Sequence, residues 1–277
     1  VYNHDEVFTS HNTFFGTGDT LIAPETLLNL KTSRPIKILE GGDLLVYDEP
    51  RKGSQYVMLV DVAKGRGQDF STFNVVDISS RPFKQVAVYR NNLISPLLFP
   101  DIIYKWANSY NTAYVVIESN DAGALVCNGI YHEMEYENVH MESMTKSSGI
   151  GVEMTRRTKR IGCSGFKDLM ETNKLEIVDE NTILEISTFE VKGASYEASP
   201  GNHDDLVMNL VLLGYLTSTT YFQELTDIDV KKMMFDQRMK EIEEDIPPFG
   251  FHQDPVEEIT YEEKLDPRSL FEQQDDI

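Results

Sequence analysis

Cysteine is scarce: the 277 residues hold two, Cys127 and Cys163. They lack the paired spacing of a zinc site and are too few to staple a fold of this size, so the expected compartment is reducing and cytosolic. Long apolar runs are missing too. No uninterrupted stretch approaches the roughly 20 residues that span a bilayer, and the N-terminus has no basic region followed by an apolar one, so neither secretion nor membrane embedding is expected. No Gly-x-x-x-x-Gly-Lys-Ser/Thr loop for nucleotide phosphates occurs. An initiating methionine is also lacking, and Val1 leads to the expectation that the chain is a piece of a longer protein.

Positive charge is in short supply. Against 46 Asp and Glu stand 25 Lys and Arg, a formal charge of −21, which argues against a polyanionic partner because phosphate binding relies on basic residues displacing counterions. The distribution changes that conclusion. Gln223 to Ile277 contains 17 acidic and 6 basic residues, whereas Ser143 to Leu175 contains 7 basic and 3 acidic ones. A basic patch survives within an acidic chain.

What is present suffices for a globular core, with 40% hydrophobic residues. Residues 1–35 are polar, broken by Gly16, Gly18, Pro24 and Pro35, and read as an extended or partly ordered linker. Strands are expected at Leu44–Tyr47, Tyr56–Val62, Phe73–Ile78 and Gln85–Tyr89, the last three forming an antiparallel meander. Ser95-Pro96 suits the start of a helix whose buried face would be Leu98, Ile102, Trp106 and Tyr110. Ala113–Ile117 is a continuous apolar run, the mark of a strand covered on both faces, and Asn120 or Asp121 can cap the helix after it. Further on come a short helix at Gly165–Glu171, strands at Leu175–Val178 and Thr188–Val191 around a turn near Asp179, a loop from Tyr196 to Asn202, and a helix opened by His203-Asp204-Asp205. Helical spacing returns from Tyr221 to Asp245, and 245–277 has the composition of a solvated acidic tail. The fold class is α/β.

Two of these strands end on acids. Leu59-Val60-Asp61 and Val116-Ile117-Glu118 both spend apolar runs on a terminal charge, and Asp204 and Asp205 stand in the first turn of a helix. Taken singly, each has an ordinary explanation as a turn residue, a surface acid or a helix-start acid favoured by the dipole. Together they suggest carboxylates that would repel one another unless cations neutralise them, and hard oxygen donors suit Mg²⁺ or Mn²⁺. Two such ions roughly 3.5–4 Å apart would activate water and stabilise the leaving oxygen in phosphodiester hydrolysis. Asp69 either faces the same cavity or stabilises the glycine turn formed by Gly65 and Gly67. His203 either assists proton transfer or caps the helix. Arg156, Arg157, Lys159, Arg160 and Lys167 are either an ordinary solvated charge run or a grip on a DNA backbone that reads no bases.

With those residues assembled, the chain resembles the C-terminal nuclease domain of the large terminase subunit of tailed bacteriophages, most closely the T4-like group. The matching stretches are Asp61-Val62-Ala63-Lys64-Gly65-Arg66-Gly67-Gln68-Asp69, Val116-Ile117-Glu118-Ser119-Asn120, Gly151-Val152-Glu153-Met154-Thr155 and His203-Asp204-Asp205-Leu206-Val207. The resemblance implies a ribonuclease H-like fold, a central mixed sheet of antiparallel meander plus parallel strands flanked by helices. Its catalytic triad falls on Asp61, Glu118 and Asp205, with Asp204 as a further metal ligand. Where close relatives carry an acid after Asp61, this chain has Lys64, to which no metal role is carried over.

The resemblance also implies a metal-dependent endonuclease acting on concatemeric double-stranded DNA during packaging in the infected bacterial host's cytoplasm. It places residues 1–35 as the link to an N-terminal ATPase domain, 36–244 as the nuclease and 245–277 as the tail. ATP would serve only the absent motor, and the portal protein and small terminase subunit would be partners. Other readings stay open: a Holliday-junction resolvase or transposase-type nuclease of the same fold, an actin-like ATPase, or a DNA-gripping, portal-docking module.

Overall fold

The computed structural model describes residues 19–142, 149–193 and 195–223. The expected tail at 245–277, and the helical segment from residue 224 on, lie outside the described residues. Among those described, no helix is long and apolar enough to cross a membrane.

The chain begins with a departure from expectation. Residues 19–30 are not a free connector: Leu21, Ile22 and Leu27 are buried in the main core, Leu27 on the short helix α1 (Pro24–Leu28). Leu21 N–H donates to the Phe189 carbonyl, so the segment is also stitched to the body by backbone hydrogen bonding. Three apolar side chains without a period give no regular-structure signal, yet each finds the core.

Strands β1 (Lys37–Leu39) and β2 (Leu44–Val46) form a small antiparallel ladder. β3 (Tyr56–Asp61), β4 (Ser71–Asp77) and β5 (Phe83–Asn91) follow as the expected meander. Helix α2 (Phe99–Ser109) then leads to β6 (Tyr114–Ile117), which pairs parallel with β3 in the register Val60 to Ile117. The strand order is β1-β2-β5-β4-β3-β6, and β2 joins β5 rather than β3. The two acid-terminated strands are therefore neighbours that run in the same direction.

Helix α3 (Gly123–Asn128) follows β6, and α4 (Arg156–Glu171) spans 16 residues where the sequence suggests only its last seven. Beyond α4 lie β7 (Leu175–Glu176), which pairs parallel with β5, and α5 (Glu180–Thr188). The turn expected near Asp179 is instead the start of α5: the Thr182 N–H donates to Asp179 Oδ2 at 2.7 Å. β8 (Phe189–Lys192) pairs not with 175–178 but with β9 (Ser195–Ala198), inside the stretch expected to be a loop. The last described helix is α6 (Asp205–Leu216).

Alternation along β3 sorts the core into two faces. Val57 and Leu59 face a cluster with Phe166 of α4 and Val211 of α6. Met58 and Val60 face the other side, with Phe99 and Ile103 of α2 and Val126 of α3. The buried face of α2 is shifted from the expected one. Phe99, Ile103 and Ala107 are inside, whereas Leu98 is exposed and Ile102 and Trp106 are only partly covered. Likewise Val126 of α3 is buried and Leu125 is not, and Ala122, not Asn120 or Asp121, holds the cap position.

Helix α6 is apolar all round and buried nearly throughout, so it must be enclosed rather than laid on a surface. Its contact with α4 uses glycines on both helices. A Cβ on Gly214 would overlap the Gly162 carbonyl oxygen, and one on Gly165 would overlap the Gly214 carbonyl oxygen.

Candidate active site

Asp61 ends β3, and Glu118 follows β6 with its backbone clamped on both sides. The Glu118 N–H donates to the Val60 carbonyl and the Ser119 N–H to the Val152 carbonyl, each at 2.9 Å. Residue 152 thus acts as one more rung beside β6. Asp205 is the first residue of α6, and buried polar contacts fix it against the meander. Thr72 Oγ1 donates to the Asp205 carbonyl at 3.2 Å, and Asn209 Nδ2 donates to Thr72 Oγ1 at 2.9 Å.

The glycine turn after Asp61 is a packed element. Gly65 has φ of 66° and lies so close to the Ile94 carbonyl that any side chain would collide with it, and the Gly67 N–H donates to the Asn92 carbonyl at 2.9 Å. The turn is thereby anchored to the end of β5. Lys64, exposed, pairs with the equally exposed Asp121 at 3.5 Å.

The electrostatics show which acids share a space. Asp61 is pushed well above its ordinary value, first by burial, then by the charges of Glu118 and Asp205, with Asp204 adding to them. Glu118 is raised to about 7 by burial, with Lys159 opposing and Asp204 and Asp121 adding to the rise. Asp205 rises to about 6, again chiefly through burial, moderated by the Phe70 N–H that donates to Oδ2 at 3.2 Å and by His203. These carboxylates destabilise one another's ionised forms, the condition that a cation relieves.

Among the described residues, no three acidic, histidine or cysteine side chains are gathered tightly enough to enclose a metal ion by themselves. The electrostatics nevertheless bring the charges of Glu118 and Asp205 to bear on Asp61. The donor set, all carboxylate, fits a hard divalent cation.

Asp204 stands at the cap position of α6, but its side chain makes no capping hydrogen bond; Oδ2 instead accepts the Ala198 N–H at 3.3 Å. His203 lies beside Asp205, Nδ1 to Oδ2 at 3.6 Å, edge-on to the Phe70 ring. Asp69 is exposed, and its charge bears on Asp205.

The basic cluster divides. Arg156, Lys159 and Arg160 line a cavity of about 550 Å³ between α4 and the β8–β9 hairpin, whose far wall adds Lys192 and Tyr196. Thr155 starts α4 there, its Oγ1 accepting the Thr158 N–H at 3.1 Å. Lys159 is close enough to Glu118 to favour its ionised form. Arg157 does not line this cavity and bears on Tyr215 instead, while Lys167 lies further along α4, paired with Glu171 at 3.6 Å.

Sequence reasoning missed Lys192 and Tyr196, because Lys192 lies just past the expected strand Thr188–Val191 and Tyr196 falls where a loop is expected. It also missed Glu185, which is buried, and its half-buried partner Arg90, 3.3 Å away behind Asp205. The only trace of Glu185 in the sequence is an acid between Leu184 and Ile186, in a segment whose helical period is short.

A mixed sheet with acids at the ends of two adjacent parallel strands and a third on a covering helix defines a ribonuclease H-like domain. The chain belongs to the terminase RNaseH-like domain family, whose profile matches residues 58–213, more than half its length. Among solved structures it is similar to the large terminase nuclease from thermophilic phage G20c with bound magnesium, with TM-score 0.55 and 22% identity over 71% of this chain and 96% of that one. The Thermus phage P74-26 large terminase nuclease domain matches with TM-score 0.54 and 21% identity, over 72% and 95% of the two chains. At these identities the likeness is one of fold.

Proposed function

We propose that this domain is a metal-dependent endonuclease that cleaves concatemeric double-stranded DNA with little sequence preference during viral genome packaging. The observation that carries the reading is the elevation of buried Asp61 by the charges of Glu118 and Asp205, at the ends of two adjacent parallel strands and the start of α6, beside a cavity lined by Arg156, Lys159, Arg160 and Lys192. Family membership supports it, as does the magnesium that the G20c nuclease binds.

In this reading Asp61, Glu118, Asp205 and Asp204 hold Mg²⁺ or Mn²⁺, two ions in the full complement. The bound ions would supply a water activated for attack and compensation for charge on the leaving 3′ oxygen. The chain's own groups do the rest. The cavity cations hold the phosphate backbone without reading bases, and Lys159, facing Glu118, keeps that carboxylate ready to ligate. His203, with Nδ1 3.6 Å from Asp205 Oδ2, would pass a proton through solvent.

The wider setting belongs to the same proposal: a T4-like phage, a preceding ATPase domain, the portal and the small terminase subunit, in the host cytoplasm. A DNA-gripping module without cleavage is the second reading, favoured by the cavity cations, which would grip DNA with or without the carboxylates. One experiment separates the two. Supercoiled plasmid is incubated with the protein across a Mg²⁺ and Mn²⁺ titration, with binding measured in EDTA. Relaxation and linearisation by wild type, lost in Glu118→Gln, are expected; a wild type that binds plasmid and leaves it intact at every metal concentration overturns the nuclease reading.

A further inference from the structure

Helix α6 delivers two aspartates to the site, yet its N-terminus is capped by neither. The carboxylate that caps it comes from another helix. Glu185 of α5 is 4% exposed. Its Oε2 accepts the Leu206 N–H at 2.7 Å and the Val207 N–H at 3.4 Å, the second and third residues of α6. Those are the N–H groups that an N-cap side chain ordinarily satisfies. With them taken, Asp204 makes no capping bond and Asp205 points its Oδ2 at the Phe70 N–H and His203.

The other oxygen of Glu185 faces Arg90 of β5, Oε1 to guanidinium at 3.3 Å. The same guanidinium lies over the Phe70 ring at 3.8 Å, and the Phe70 backbone donates to Asp205. Glu185, Arg90, Phe70 and Asp205 thus form a closed circuit of contacts linking α5, β5, the glycine loop and α6. Stability alone does not account for it. Arg90 Nε and Glu185 Oε1 are buried atoms without a hydrogen-bond partner among the described residues, and a charge pair so incompletely satisfied is often no more stabilising than apolar packing.

We propose that Glu185 is a positioning residue for metal binding: by capping α6 from α5 it frees Asp204 and Asp205 from local capping and sets the direction in which both present their oxygens. Arg90 and Phe70 fix Glu185 and Asp205 relative to each other. The proposal rests on the metal-dependent reading of the site.

The test is Mn²⁺ binding to the purified protein, followed by electron paramagnetic resonance of the free ion, without DNA. Glu185→Ala should weaken Mn²⁺ binding about 10–100-fold, the usual effect of losing a group that orients a ligand. Glu185→Gln keeps an acceptor for the two N–H groups and should recover affinity to within a few-fold of wild type. In an Asp205→Asn background, the effect of Glu185→Ala should shrink without vanishing, because part of it runs through Asp205 and part through Asp204.

Far-UV circular dichroism and thermal unfolding check the fold. Should the alanine variant not fold, Glu185→Met, of similar length and without an acceptor, is read in the same way. Wild-type affinity in Glu185→Ala, or a Gln variant as weak as Ala, overturns the positioning role. Absence of Mn²⁺ binding by wild type itself would instead sink the metal-dependent reading beneath it.

Discussion

Replacing Asp61 by asparagine should abolish cleavage and, without metal, make the protein more stable. Burial, then Glu118 and Asp205, hold Asp61 well above the ordinary value of 3.8. Its protonated form therefore contributes stability that is fully present below pH 3.8 and is lost steadily as the pH rises towards the folded value. Over that interval the loss amounts to about 1.4 kcal/mol per pH unit, and its slope does not depend on where the folded value lies. Asparagine has nothing to ionise, and its Oδ1 can keep the Val62 N–H bond that the carboxylate accepts.

The advantage of Asp61→Asn over wild type should accordingly grow with pH, at about 1.4 kcal/mol per unit for as long as the pH stays below the folded value. Urea unfolding in EDTA at pH 5, 6 and 7 measures it, with Trp106 as the intrinsic probe. Saturating Mg²⁺ should then narrow the gap, because a ligand at 100 times its Kd stabilises the form that binds it by about 2.7 kcal/mol, comparable with two pH units of that loss. An asparagine variant with the wild-type pH dependence, or one less stable at pH 7, would refute the inference that these carboxylates press on one another.

Other consequences follow from the same geometry. If Arg156, Lys159 and Arg160 hold phosphates, changing all three to alanine should reduce the slope of log affinity against log salt by about 0.9 per lost contact, whereas Arg157→Ala with Lys167→Ala should leave it nearly unchanged. Lys159→Met removes a charge that favours ionised Glu118, so the acid limb of the cleavage pH profile should move upward; a shift downward would contradict the proximity of the two. Ile22→Ala, at a fully buried position, should cost about 2–5 kcal/mol in urea unfolding, and a cost near zero would return residues 19–30 to the status of a linker. Gly214→Ala should destabilise by at least about 1–3 kcal/mol, because α4 and α6 must separate to admit the methyl group.

The acids were legible because the chain does something costly at them. An apolar strand that closes on Asp61, and another on Glu118, show as breaks in pattern, and the parallel pairing of β3 with β6 turns two separate breaks into one site. Helix α4 was only partly legible for the opposite reason. Gly162 and Gly165 lower its apparent helical tendency, yet the glycines are needed where α6 approaches. The phase of α2 was misjudged because two apolar stripes run side by side along it. Phe99 wins over Leu98 by stacking near Phe73 and Tyr89, with ring centroids at 6.4 and 5.6 Å. Glu185 was hidden because capping between helices leaves no local spacing to read.

The net charge of −21 and a DNA substrate are compatible because the relevant balance is local. Asp61, Glu118 and Asp205 are three acids where a phosphate would have to bind, and Lys159 stands at their border, lining the basic cavity and acting on Glu118 at once. A phosphodiester group drawn in by Arg156, Lys159, Arg160 and Lys192 would meet the acids only when cations have neutralised them. On the proposed reading, the metal requirement would reside in the binding of DNA close to the acids as well as in the chemistry, because divalent ions would turn a site that repels phosphate into one that ligates it.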